Sequence, residues 1–352
     1  MWNIPIGRAN SMNSRKHWVL FIGGLFITLP ITGVFLYFVH TTINTALLDV
    51  ETGGMVKDPQ GPLPAPFPVG VNPKEKIITE LPHIETYLNE ELTRTTEESG
   101  LVQVSFIRKV IAKLALTDWY QSLAAGASRV LIIQPGERKE QVAANFGKIL
   151  KWDDEMKREF LVRVVSSDPV LLEGKFPPGS YLVAREATAG DVAPLLIERF
   201  NTEILSRYQP DVAQKVVLGD ALTIASLIER EAYDFDDMRY IAGVIWNRLF
   251  IDMDLQIDAT LQYAKGTQST KTWWPNPIPN DKYIDSPYNT YKNSGLPPTP
   301  IANPSVDAIL AALNPRVTDC LYYFHDRDSN FHCSVSYEEH VLRLKEYYGR
   351  GK

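Results

Sequence analysis

Two glutamates close a strongly apolar helical pattern in this 352-residue chain. The pattern covers residues 221–232 and ends in Ile228-Glu-Arg-Glu231. On a helical wheel its polar arc holds Thr223, Ser226 and Arg230. Glu229 falls between the directions of Leu222 and Ala225, and Glu231 between those of Ile224 and Leu227 on the opposite flank. Both carboxyls border apolar surface, where desolvation raises a pKa. A carboxyl raised toward neutrality is what a general acid requires. Periodicity does not choose between the two, and from this helix alone ordinary pairing with Arg230 or Arg239 accounts for them at least as well.

A second constellation is Ser286-Pro-Tyr-Asn-Thr-Tyr291, followed by Gly295-Leu-Pro-Pro-Thr-Pro300. Prolines pre-set the backbone, so intervening polar groups are held at low entropic cost. Tyr288, Asn289, Thr290 and Tyr291 combine aromatic faces with hydrogen-bonding groups, a mixture suited to sugar rings; a rigid Pro-rich loop also serves as a plain connector. The acidic row Asp252, Asp254, Gln256, Asp258 lacks the glycine turn and terminal glutamate of an EF-hand loop. His325, His332 and His340 have no H-E-x-x-H spacing. No metal or other cofactor is therefore expected. No nucleophile-elbow, Walker A or dinucleotide fingerprint is present. A net charge of -6 argues against nucleic acid as a partner.

These groups need elements to position them. Residues 221–232 and 235–249 read as two helices, the second with Met238, Ile241, Ala242, Ile245 and Leu249 at helical spacing. Residues 250–257 switch to period two, which predicts a half-exposed strand carrying Gln256. A long Pro-, Asn- and Trp-rich segment follows. The chain closes with a short helix over 305–313, a hairpin of 321–324 and 331–335 around a turn at 325–330, and a helix from Tyr337. Upstream, the apolar run 130–133 stops at Pro135-Gly136, and an amphipathic helix opens at Glu137 with Val142, Ala143, Phe146, Ile149 and Leu150 as its buried stripe. A second strand at 180–184 and a helix at 191–200 complete that module. Helices and antiparallel strands are segregated, so the fold class is α+β.

The N-terminal part differs in kind. Residues 18–39 contain no charged side chain. At ~1.5 Å per residue they span the ~30 Å hydrocarbon core of a bilayer. Arg8, Arg15 and Lys16 precede the run, and Asp49 and Glu51 follow it. That bias predicts a single-pass anchor with a cytoplasmic N-terminus and everything beyond it exported. The run is longer than a signal-peptide core, and no A-x-A site follows it. Six prolines between residues 58 and 73 predict an extended spacer. Helical patterns follow around 76–95 and 106–123. A hydrophobic fraction of 45% with 22% charged residues excludes a chain disordered throughout. Only Cys320 and Cys333 are present, so there is no disulfide scaffold. Symmetric pairing about the expected turn sets residue 320 opposite 335, two positions from Cys333, which favours two buried thiols over a bridge.

Taken in order, the motifs resemble the YceG-like (MltG-type) endolytic murein transglycosylases. The matching stretches are Ile224-Ala-Ser-Leu-Ile-Glu-Arg-Glu231, Val244-Ile-Trp-Asn-Arg-Leu249 and Leu255-Gln-Ile-Asp-Ala-Thr260. They continue with Ser286-Pro-Tyr-Asn-Thr-Tyr291, Gly295-Leu-Pro-Pro298 with Pro300-Ile-Ala302, and Leu321-Tyr-Tyr-Phe324. Upstream, Ile133-Gln-Pro-Gly-Glu137 and Leu172-Glu-Gly174 resemble that family's LysM-like region and its junction. This chain departs from the pattern at Ala259, where a proline is usual, at Thr299, where a glycine is usual, and around Asn330-Phe331-His332.

The resemblance implies an inner-membrane lyase that cleaves the MurNAc–GlcNAc bond of nascent glycan strands, leaves 1,6-anhydroMurNAc ends and terminates elongation. It implies Glu229 as the catalytic residue, with Gln256, Asp258, Tyr288, Asn289 and Thr290 binding substrate. Its implied partners are peptidoglycan strands, with cell-wall synthesis proteins as further candidates. The corresponding domains are a cytoplasmic N-terminus 1–17, a membrane helix 18–39, a spacer and membrane-proximal helical region 40–127, a LysM-like module and junction 128–200, and a catalytic domain 201–352. Two other classes fit the residues: a hydrolytic muramidase using Glu229 with Asp258 or Asp285, and a non-catalytic peptidoglycan-binding scaffold.

Overall fold

The computed structural model describes residues 65–80, 85–87, 128–166, 171–266 and 272–349. The expected membrane helix 18–39 and the helix at 106–123 lie outside them. Among the described residues no helix is long and apolar enough to cross a membrane.

A two-residue antiparallel ladder, β1 (Val71–Asn72) with β2 (Ile77–Ile78), comes first. It occupies the start of the segment read as helical from residue 76. Next, β3 (Ser128–Ile133) leads through the Pro135-Gly136 turn into α1 (Lys139–Leu150). Lys151, in the left-handed region at φ 58°, ends that helix. The next helix, α2 (Asp154–Ser166), was not apparent in the sequence: it is mostly polar and fully buries only Phe160 and Val164. Strand β4 (Gly179–Ala184) then pairs antiparallel with β3, from Ser128 opposite Ala184 to Ile133 opposite Gly179.

The following helix, α3 (Ala189–Glu203), starts at a capping box in which Asp191 Oδ2 accepts the Thr188 N–H at 2.8 Å. Its first half packs in a core with Leu131, Ile133, Phe146, Phe160 and Phe176. Its last turn, at Phe200, belongs to a second and larger core. One helix thus serves both cores and fixes the β-α-α-β unit to the helices beyond it.

After α4 (Pro210–Lys215), the larger core forms around α5 (Leu218–Glu231). Three helices pack on α5: α6 (Phe235–Phe250), α7 (Asp258–Lys265) and α8 (Val306–Leu313). Asp234 caps α6 through the Asp237 N–H, and the buried Trp246 indole donates to the Ala312 carbonyl at 2.9 Å. A Cβ at Gly243 would lie 2.5 Å from the Arg316 carbonyl oxygen, so α6 approaches that segment more closely than a side chain allows.

The strand expected at 250–257 is not there. Helix α6 continues through Phe250, and Asp252 and Gln256 adopt positive φ of 55° and 48°, which an extended strand does not tolerate. Only the second half of the alternation reports burial: Leu255 and Ile257 are buried, whereas Ile251 is 57% exposed. The alternation arises in an irregular segment whose Gln256 N–H is satisfied by the Thr290 carbonyl.

The hairpin forms as expected, β5 (Tyr322–His325) with β6 (Phe331–Ser334), followed by α9 (Tyr337–Tyr348). Its register places Tyr323 opposite Cys333. The expectation of two free thiols is wrong: Cys320 and Cys333 form a disulfide with Cα atoms 5.7 Å apart. Extrapolating the ladder misplaced residue 320, because β5 begins only at Tyr322. The chain before it turns out of the ladder, with the Cys320 N–H donating to Thr318 Oγ1 and the Leu321 N–H to the Ser334 carbonyl.

Candidate active site

Helix α5 is the axis of the site. Residues 221–228 are buried on every side, so the helix runs through the larger core and reaches the surface at its two end turns, the last of which carries the glutamates. Glu229, Arg230 and Glu231 are half-buried there. Successive side chains leave a helix about 100° apart, so the two carboxylates depart on opposite flanks.

On one flank Glu229 meets the start of α8. Ser305 caps that helix, its Oγ accepting the Ala308 N–H at 3.1 Å. The same hydroxyl donates to Glu229 Oε2 at 2.6 Å, and the Ser305 N–H donates to the same oxygen at 2.9 Å. Among the described residues no hydrogen bond reaches Glu229 Oε1. Burial raises the Glu229 pKa, the two Ser305 bonds oppose that rise, Asp307 adds to it and Arg230 subtracts.

The turn after β3 walls this flank. Gly136 sits at φ +78°, and a Cβ there would stand 3.2 Å from Arg230 and 3.7 Å from Glu229 Cγ. Asn303, two residues before Ser305, locks the turn in place. Its carbonyl accepts the Gly136 N–H at 2.9 Å, and its N–H and Nδ2 both donate to the Glu137 carbonyl. Its Oδ1 accepts the Phe176 N–H at 3.0 Å. Arg138 extends the contact, stacking 4.0 Å over Tyr263 and donating to the Tyr263 and Gly266 carbonyls. Burial lifts Glu137 to about 7.

On the other flank Glu231 accepts from the Tyr323 hydroxyl at 3.2 Å and from the Ala259 N–H at the start of α7. Burial raises its pKa, and the neighbouring Asp258 carboxylate raises it further. Asp258 Oδ1 accepts from the Tyr291 hydroxyl at 2.7 Å. Beyond Tyr323, His325 Nε2 lies 2.8 Å from Asp237 Oδ2.

The structure distributes the sequence-derived binding residues unevenly. Asp258 belongs to the Glu231 flank, and Gln256 is exposed two residues before it. Tyr288 bonds the Thr299 hydroxyl at 2.8 Å and packs tilted against Tyr263, ring centres 4.7 Å apart. Asn289 and Thr290 are fully buried. Asn289 donates to the Lys282 and Ile284 carbonyls, and Thr290 Oγ1 accepts the Ile257 N–H, so both brace the loops around them. None of the five bonds Glu229. Asp285 lies in solvent, paired with Lys292.

Sequence reasoning gave no role to Ser305, Gly136, Asn303 or Tyr323. Ser305 was legible in part: a serine directly before an apolar helical run is an N-cap signal, and capped helix starts attract carboxylates.

The profile of the YceG-like family matches residues 108–346, which include both flanks of the site. The chain belongs to the YceG-like family. It is similar to the endolytic murein transglycosylase of Streptococcus pneumoniae, 26% identical over 335 aligned residues that cover 80% of this chain and 60% of that protein. It is 33% identical over 254 residues to the endolytic murein transglycosylase of Bacillus subtilis, covering 66% of this chain and 69% of that one. A crystal structure of a YceG-like protein from Listeria monocytogenes superposes with a TM-score of 0.54 at 29% identity, over 61% of this chain and 75% of that chain. The chain thus spans about three fifths of the pneumococcal protein's length.

Proposed function

We propose that this protein is an endolytic peptidoglycan lytic transglycosylase with Glu229 as its single catalytic carboxyl. The observation that carries the reading is the state of that side chain: a carboxyl with raised pKa, one oxygen held twice by Ser305 and the other without a partner among the described residues. A proton on Oε1 faces away from the anchoring bonds and is available for transfer. Glu229 gives that proton to the oxygen linking MurNAc to GlcNAc as the C1–O bond breaks. The carboxylate then takes the proton from the MurNAc C6 hydroxyl as that oxygen bonds to C1. The products are a 1,6-anhydroMurNAc end and a free GlcNAc hydroxyl, with no water consumed and Glu229 returned to its acid form. Cleavage within nascent strands terminates their elongation.

A hydrolase needs a second carboxylate to activate water. Asp258 is engaged with Tyr291 beside Glu231, and Asp285 with Lys292, which favours the one-carboxylate route. Gln256, Asp258 and Tyr288 remain the residues proposed to touch sugar, with Asn289 and Thr290 positioning their loops. The β-α-α-β unit is read as the LysM-like module of 128–200. Residues 18–39 are read as the single-pass anchor of an exported enzyme at the cytoplasmic membrane, with cell-wall synthesis proteins as candidate partners. Mass spectrometry of digested sacculi tests the chemistry: anhydro ends are expected, and reducing ends would make the protein a hydrolase.

A further inference from the structure

Arg230 lies between the two glutamates and takes no part in the proton transfers above. Its guanidinium carbon stands 4.0 Å from the centre of the Trp274 ring, and its Cδ and Nη1 press against the turn at Gly136. Trp274 is itself fixed, donating from Nε1 to Gln141 Oε1 at 3.0 Å. The Arg230 Nε is buried without an acceptor, and among the described residues no hydrogen bond or ion pair reaches the side chain. Other buried and half-buried arginines among the described residues each donate at least one hydrogen bond. Arg138 and Arg248 do so to main-chain carbonyls, Arg239 to a carbonyl and a carboxylate, and Arg316 to carboxylates. Arg230 is the exception, and it stands beside Glu229.

A guanidinium carries all its N–H donors in one plane. Stacking an indole on its face leaves that edge unused, pre-oriented for a planar anion. A partly buried cation with no protein partner is costly unless a ligand completes it. The anions that a peptidoglycan strand brings near its glycosidic bonds are carboxylates, those of the peptide stem or, where the stem has been removed, that of the muramyl lactyl group. We propose that Arg230 binds a carboxylate of the muramyl substituent next to the bond that Glu229 cleaves, and so makes cleavage depend on what that sugar carries. The proposal rests on the glycan-cleaving reading above.

The test uses Arg230→Met, which keeps the alkyl stem against Trp274, and Arg230→Lys, which keeps the charge but not the planar fork. The probes are soluble glycan strands with stems intact, the same strands with their carboxylates amidated, and strands stripped of stems by an amidase. On intact strands Arg230→Met is expected to raise KM about tenfold or more, the size of one lost charge-assisted contact. That penalty should largely vanish on amidated strands, with Arg230→Lys intermediate. In intact strands the lactyl carboxyl is tied up in the amide to the stem, so a penalty lost on stripped strands assigns the stem alone, and one kept there means that the lactyl carboxylate freed by the amidase takes the stem's place. Equal KM for Arg230→Met and parent, or a penalty of the same size on amidated strands, overturns the proposal. Calorimetric binding in the Glu229→Gln background separates the two readings. A parent that binds no strand overturns the glycan reading and this one with it, whereas equal binding with and without Arg230→Met overturns this one alone. A thermal melt checks that Arg230→Met is folded. If it is not, Arg230→Lys carries the test, and loss of its KM penalty on amidated strands is the supporting result.

Discussion

The last turn of α5 presents two carboxylates two residues apart, and their surroundings are alike in every respect but one. Both are buried enough to have raised pKa values. Both sit at the start of a helix, Glu229 at α8 through Ser305 and Glu231 at α7 through the Ala259 N–H. What differs is the company. Glu229 is anchored by one oxygen to a neutral hydroxyl and amide, with the Gly136 turn and Arg230 beside its stem. Glu231 accepts from a phenol and lies beside Asp258, in a network that runs through Tyr291 and the hairpin; the acid near Glu229 is Asp307. Burial alone therefore does not mark an acid for catalysis. On the proposed reading, what sets Glu229 apart is the pair of Ser305 bonds that hold one of its oxygens still.

Each flank also has its own brace, and the braces offer ways to break the comparison. The disulfide ties the hairpin behind Glu231. Opening it with Cys320→Ser and Cys333→Ser together should lower the unfolding free energy by ~3 kcal/mol, measured by urea denaturation. Turnover per folded molecule should stay close to the parent's, and a large loss in the folded protein would mean that the Glu231 flank matters to the chemistry.

Asn303 braces the Glu229 flank. Asn303→Ala strands the Phe176 N–H in a buried place and should cost about 2 kcal/mol. Here turnover should fall too, because the loop to Ser305 loosens. A destabilised variant with parental turnover would uncouple the β-α-α-β unit from the acid.

The smallest change sharpens the comparison most. Ser305→Ala removes the α8 cap, costing about 1 kcal/mol, and one of the bonds that stabilise ionised Glu229. Losing that bond raises the Glu229 pKa further. The protonated acid is the active form, so the alkaline limb of the pH–rate profile should move to higher pH. The linkage has the same sign. With a folded pKa above the unfolded one, the contribution of Glu229 to stability is full at low pH and is lost as pH rises through the folded pKa. An alkaline limb unchanged in Ser305→Ala would mean that Glu229 does not set it.

Much of this arrangement was legible in the sequence. The helix pair 221–232 and 235–249, the β3–α1 unit around Pro135-Gly136 and the final hairpin emerged from periodicity and breakers, because each buries its own apolar face. The opposite departure of Glu229 and Glu231 was readable from the wheel. The failures share one physical cause, since contacts between distant segments leave no local signal. The alternation in 250–257 matches burial at Leu255 and Ile257 but not at the exposed Ile251, and two positive-φ residues and the Thr290 carbonyl shape the backbone. The bridge could not be read from the ladder because Cys320 lies outside it. Asn289 and Thr290 suit sugar by type, and their bonds to the surrounding main chain, with Thr290 reaching across to Ile257, have no local signal either. Nothing near Glu229 in sequence names Asn303 or Gly136, which close over it from 74 and 93 positions away.

The central claim is the choice of flank, and one paired digestion addresses it. Sacculi are incubated with Glu229→Gln and with Glu231→Gln, each first shown to be folded by its thermal melt, and released fragments are counted by mass spectrometry. Glutamine keeps the size and hydrogen bonding of each carboxyl but has no proton to transfer. The account predicts no detectable fragments from Glu229→Gln, and release within about tenfold of the parent from Glu231→Gln, whose carboxyl takes no part in the proposed proton transfers. An active Glu229→Gln beside an inactive, folded Glu231→Gln would contradict it.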